Sequence, residues 1–108
     1  MPTTQHIIVF ITTKDVVEAR KISKALLENK LIACANILDG VQSLFWWQGK
    51  IDEASEAMMI LKTKKILFKK VLAQVKALHS YQTPEVIALP MIDGNSEYLK
   101  WINESVKI

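Results

Sequence analysis

The chain has 108 residues, half of them hydrophobic and 23% charged, with a formal net charge of +3. That size and balance suit one domain spanning residues 1–108, with enough apolar surface for a core, and exclude a disordered or fibrous chain. No apolar run approaches the roughly 20 residues a membrane-spanning helix needs, and the opening residues lack a secretory pattern, so a cytoplasmic protein with no membrane partner is expected.

Residues 6–12 (HIIVFIT) are β-branched and aromatic on both alternating faces after His6, which predicts a strand covered on both sides. Asp15 followed by Glu18 forms a capping box, and Val16, Ala19, Ile22 and Leu26 then recur at helical spacing. Asn29, which tolerates a left-handed backbone, is the expected stop of that helix. Residues 31–47 (LIACANILDGVQSLFWW) read as a long strand interrupted at Asp39-Gly40 by a bulge or a bend. A tight turn at Gln48-Gly49-Lys50 leads into a returning strand over 51–63.

Residues 65–79 predict a second helix with Phe68, Val71, Leu72, Val75 and Leu78 inward and lysines outward. No acid occurs between Glu56 and Glu85, so this flank is basic although the protein is only mildly so. A fourth strand over 85–91 and a final helix over 96–106 complete the order. The expected fold is α+β: a ferredoxin-like βαββαβ with an antiparallel sheet, a long β2-β3 hairpin and an extra C-terminal helix.

A strand of some 16 residues is about 50 Å long, whereas a compact domain of this length is ~34 Å across. The hairpin therefore overhangs its domain, and Leu44, Phe45, Trp46 and Trp47 near its tip call for a partner subunit, Phe45, Trp46 and Trp47 being its interface residues. The alternative is that Asp39-Gly40 folds the strand back so that the tryptophans cover their own core.

HSYQTPE, residues 79–85, admits two readings. In one it is a helix-ending, strand-starting turn, with His79 bonding a terminal carbonyl, Pro84 setting Thr83 extended and Tyr81 burying its ring. In the other, Lys62, Thr63, Tyr81 and Glu85 line an inter-subunit cleft, with Lys62 anchoring an anion and Glu85 its partner or a cation ligand. Cys34, the only cysteine, excludes a disulfide and any Cys-x-x-Cys motif, and in its apolar strand reads as a small buried hydrophobe. No phosphate loop, nucleophile elbow or triad motif is present, so no enzyme and no required cofactor are expected. KTKKILF lacks the aromatic pattern of RNA-binding sheets, so no nucleic-acid partner is expected either.

The segments KLIACANILDGVQSLFWWQGKI, the E-x-x-x-x-L-K-T run from Glu56, HSYQTPEVIALPMIDG and YLKWI together resemble the CutA family of divalent-cation tolerance proteins over essentially the whole chain. The resemblance implies a homotrimer similar to the PII signalling proteins, a role in copper or other divalent-metal tolerance by binding metal or relaying a signal, and an unidentified signalling partner. A PII-like module binding a small anion or a partner protein is the alternative. It also implies copper ligation by a cysteine ending strand one and a histidine pair ending helix two. Here those positions hold Ile11 and Leu78, which leaves His79, with Cys34 as a further thiol.

Overall fold

The computed structural model describes residues 5–108. Its elements, in chain order, are β1 (His6–Thr13), α1 (Val16–Glu28), β2 (Cys34–Trp47), β3 (Lys50–Lys64), a 3-10 turn (Lys65–Leu67), α2 (Phe68–Leu78), β4 (Val86–Pro90) and α3 (Ser96–Ser105). The strands form one antiparallel sheet in the order β2-β3-β1-β4. This is the expected ferredoxin-like arrangement with its additional helix.

Alternation along β1 and β3 decides where the core sits. Ile7, Val9 and Ile11 are register partners of Thr63, Leu61 and Met59, so all six project to one face. Against that face lie Ala19, Ile22 and Leu26 of α1, Val71 and Val75 of α2, and Leu67, all fully buried. Each large aliphatic side chain buried this way is worth roughly 1.5–3 kcal/mol. The lysines of α2 point away, Lys69, Lys70 and Lys76 being exposed. Ile11, where the resemblance implies a cysteine, is part of this core.

The reverse face of the sheet is only partly covered. There α3 crosses one end, where His6 Nε2 lies 2.8 Å from Asn103 Oδ1, and its Ile102 is fully buried. The remaining reverse face shows Leu38, Ile87 and Leu89, each about half exposed, beside Phe10, Met58 and Ile60 in the register.

Two turns differ in detail from the sequence reading. At the end of α1 the left-handed residue is Lys30 (φ 59), while Asn29 keeps φ −86. The Lys30 N–H donates to the Leu27 carbonyl and the Leu31 N–H to that of Leu26, the paired bonds of a Schellman cap. Closing this motif requires the positive φ one residue after the capping position, whatever side chain stands there. Residues 31–33 consequently enter as a buried segment before β2 begins at Cys34. At the hairpin tip the two-residue turn is Gln48-Gly49, with φ of 50 and 78, matching the right-handed twist of the strands it joins.

Asp39-Gly40 is a bulge. Leu38 pairs with Met58 and Val41 with Glu56, so β2 spends one extra residue there, and Gly40 takes φ 70. The strand is not folded back. Residues 41–47 and 50–56 pair only with each other, because β1 reaches no further along β3 than Ala57. This overhang lies within a molecule 43 Å long and 31 Å wide, and it leaves Leu44 67%, Trp46 73% and Ile51 65% exposed.

Candidate functional site

The 79–85 corner is held from three directions. His79 ends α2, and its ring, almost wholly buried, touches two backbone groups. Nε2 lies 2.7 Å from the Thr12 carbonyl oxygen, and Nδ1 is 3.0 Å from the Tyr81 N–H nitrogen. A carbonyl can only accept and an amide N–H only donate, so the ring proton sits on Nε2 and Nδ1 is the acceptor. The imidazole thus ties the end of α2 to the end of β1 with both nitrogens engaged.

Glu18 forms the second tie. Asp15 Oδ1 accepts the Glu18 N–H at 2.8 Å, completing the N-cap, while Glu18 Oε1 accepts the Lys14 N–H and Oε2 the Ser80 N–H. The Glu18 carboxylate therefore reaches one residue behind the usual capping box and also across to the corner. Burial alone would raise its pKa. Bonds from the Ser80 side chain and from the Lys14 and Ser80 N–H groups outweigh that and hold it below the ordinary value.

The third tie reaches the hairpin. Tyr81 packs its ring 4.8 Å from that of His79 and donates its hydroxyl to Glu56 Oε2 at 2.8 Å. Glu56, at the foot of the overhang, is only 7% exposed. Burial, the hydrogen bond to Glu56 and the neighbouring carboxylate charges push the Tyr81 phenol up to about 12. It is accordingly a donor at neutral pH.

Between hairpin and corner lies an open cleft of about 860 Å³. Asp52 and Glu56 enter from β3, Phe45 and Trp47 from β2, and Tyr81 and Glu85 from the corner. Its three ionisable carboxyl side chains face no lysine or arginine among the lining residues. Tyr81 and Glu85 line this cleft within one chain, whereas Lys62 and Thr63 do not.

Thr63 is fully buried on the helix-covered face, where its hydroxyl donates to the Leu31 carbonyl at 2.6 Å. Lys62 donates to Asn36 Oδ1 near the opposite end of β3. Six residues separate Lys62 from Glu56 along that strand, about 20 Å. The proposed anion anchor is thus remote from the cleft. The reason is local: β3 is long enough that its two ends serve different neighbourhoods.

Cys34 is the register partner of Lys62, so it sits at that same remote end. It is partly exposed rather than a buried hydrophobe. Burial first, and then the adjoining Cys34, raise the Tyr98 phenol above its ordinary value. Cys34 and His79 are not brought together, and His79 offers no unengaged nitrogen. Among the described residues no three His, Cys, Asp or Glu side chains converge as a metal-binding group. Within one chain, the described residues do not fit the copper centre implied by the sequence resemblance.

Sequence reasoning overlooked Glu56 and Asp52 as cleft residues and assigned Phe45 and Trp47 only to an interface. A charge abutting the apolar run AMMIL was the available signal for Glu56. Counting back from the Gln48-Gly49 turn would have placed Phe45 beside Asp52, as observed.

Residues 7–105 match the family described as CutA1 divalent ion tolerance protein. The chain is 47% identical over 102 residues to the divalent-cation tolerance protein CutA of Archaeoglobus fulgidus, covering 94% of this chain and 99% of the relative. A solved structure of an Archaeoglobus fulgidus CutA, described as periplasmic, superposes with a TM-score of 0.92 over 94% of this chain and 99% of its own. The structure of CutA1 from Oryza sativa gives 0.93 at 37% identity, covering 97% and 96% of the two chains.

Proposed function

The chain belongs to the CutA1 divalent ion tolerance family, and from that premise we propose that it serves divalent-cation tolerance as a cytoplasmic homotrimer whose cleft takes up a positively charged ligand. It acts as a binding and relay protein with no resident cofactor, rather than as an enzyme. The carrying observation is the sign of the cleft: Asp52, Glu56 and Glu85 line it, and no lysine or arginine is among its lining residues. Such a site concentrates cations and repels anions. The anion-binding alternative lacks its anchor, because Lys62 is at the far end of β3.

Two features support the trimer. The overhanging half-hairpin exposes Leu44, Trp46, Trp47 and Ile51, and the reverse face of the sheet exposes Leu38, Ile87 and Leu89. Exposed apolar area on both the overhang and the sheet suits a subunit interface. Relay follows from the Tyr81–Glu56 bond, which couples a ligand at the cleft to both hairpin and corner.

Light scattering at micromolar concentration should give three times the chain mass. Calorimetric titration should show uptake of cations and none of phosphate, nucleotides or organic acids. A stable monomer would remove the assembly from this reading. Saturable binding of an anion in the cleft, with no cation bound, would reverse the assignment of its ligand.

A further inference from the structure

We infer that the outer surface of the layer formed by α1 and α2 docks a partner protein through a segment rich in aspartate and glutamate. This surface lies across the sheet from the apolar reverse face, and the inference does not depend on the charge of the cleft.

Helical spacing gathers the charges. In α1, Arg20, Lys21 and Lys24 are exposed while Ala19, Ile22 and Leu26 are buried, so the three cations share the face turned away from the sheet. In α2 the same relation holds between exposed Lys69, Lys70 and Lys76 and buried Val71 and Val75. The two helices touch one another over the sheet, so the six cations form one patch about 20 Å across.

The patch is of a single sign. α2 contains no acid, and of the two acids in α1, Glu18 is buried and engaged by the Lys14 and Ser80 N–H groups, which leaves Glu28 at the helix end. Among the described residues the one ion pair is Lys100 with Glu104, on α3. The acids gather elsewhere, with Asp39, Asp52, Glu53 and Glu56 on the hairpin. A surface that serves solubility alone intersperses both signs.

These cations also work against the helices that carry them. Lys69 and Lys70 occupy the first turn of α2, where the macrodipole favours acids and none is present. Arg20 and Lys24 stand four residues apart on one face, a like-charge spacing that destabilises a helix. Local rules broken without a gain in folding mark functional positions, and a carboxylate-rich segment laid over the patch relieves both conflicts.

The surroundings favour a protein over other polyanions. An extended segment of about six residues covers the patch, whereas a small anion spans too little of it. Val17 and Leu27, exposed on α1, offer aliphatic contact to side chains set between the acids. No exposed residue of either helix is aromatic, so nucleic-acid bases have nothing to stack on. The apolar faces of both helices are turned into the core, which leaves no wedge to enter a bilayer.

The test is fluorescence anisotropy of the full chain with a fluorescein-labelled peptide of Glu-Glu-Leu repeats, its Gln-Gln-Leu counterpart and a labelled DNA duplex, with cosedimentation on phosphatidylserine vesicles in parallel. The acidic peptide should bind saturably, the glutamine peptide should not, and affinity should fall as sodium chloride is raised. Lys21→Glu with Lys24→Glu, and separately Lys69→Glu with Lys70→Glu, should each weaken binding about tenfold or more. Lys50→Glu with Lys100→Glu makes the same change in net charge away from these helices and should leave the affinity within about twofold. The α2 pair should meanwhile raise the thermal midpoint, because acids suit the first turn of a helix, so lost binding there is not lost folding. Equal weakening by the Lys50 and Lys100 pair would overturn the placement, and failure of the acidic peptide to bind would overturn the inference. Duplex or vesicle binding tighter than that of the peptide would overturn the choice of a protein partner.

Discussion

Replacing Tyr81 with Phe removes one oxygen atom and tests how the corner is joined to the hairpin. The ring keeps its contact with His79, while Glu56 loses the hydroxyl that its Oε2 accepts at 2.8 Å. A hydrogen bond to a charged group is worth about 1.5–3 kcal/mol. Because the cleft opens to water beside Glu56, the lower end applies, about 1.5 kcal/mol. For a domain of this size the midpoint should fall by roughly 6–12 °C. Thermal unfolding must be followed at one protein concentration, since assembly would shift the midpoint with it. In a Glu56→Gln background the same change should cost about 1 kcal/mol less, that difference being the coupling between the two groups. The pH dependence has a definite sign. The folded phenol is raised to about 12, so its contribution is complete below pH 10 and is lost as pH climbs from 10 to 12. A Tyr81→Phe midpoint within about 2 °C of the parent would refute the claim that this bond holds the corner.

Lys30→Gly should stabilise the protein by about 1 kcal/mol, because Lys30 occupies a left-handed conformation that glycine adopts freely; chemical denaturation measures it, and a loss of stability would contradict the Schellman assignment. Glu18, whose folded pKa is depressed, contributes stability above its unfolded pKa that disappears as pH falls through the folded value. Melting curves from pH 6 down to 3 should therefore decline less steeply for Glu18→Gln than for the parent. Trp46→Ser with Trp47→Ser should reduce the sedimentation mass toward that of a single chain while leaving the far-ultraviolet spectrum largely intact, because both side chains lie on the overhang beyond the core.

The order of elements was legible because hydrophobic period changes from two to 3.6 and back at each boundary, and those periods are what the two faces of each element impose. The overhang was legible from strand length alone. The cleft was less so. Tyr81 and Glu85 were found because they are close in sequence to a helix end, whereas Thr63 was misplaced by a parity question: adjacent residues on β3 face opposite ways, and Thr63 falls on the buried side with Leu61. Glu56 is brought to Tyr81 by a strand register and a helix end 25 positions apart. Helical and strand periodicity contain no information about that meeting. Likewise, Asn29 looked like the left-handed residue by side-chain preference, but the bonds of Leu31 and Lys30 assign that conformation by position in the cap.

The strand order has a consequence for how the chain is made. β1 is synthesised before the other described elements, yet its partners lie in residues 57–64 and 86–90. At about 5–20 residues per second, a ribosome needs roughly 4–15 s between completing β1 and supplying its last partner. Until residues 57–64 emerge, HIIVFIT, apolar on both sides, has no strand to pair with, and β2 and β3 then zip into their own hairpin within microseconds. The nascent chain is thus most prone to aggregate at β1, and α1, folding over β1 in the meantime, is the segment placed to shelter it.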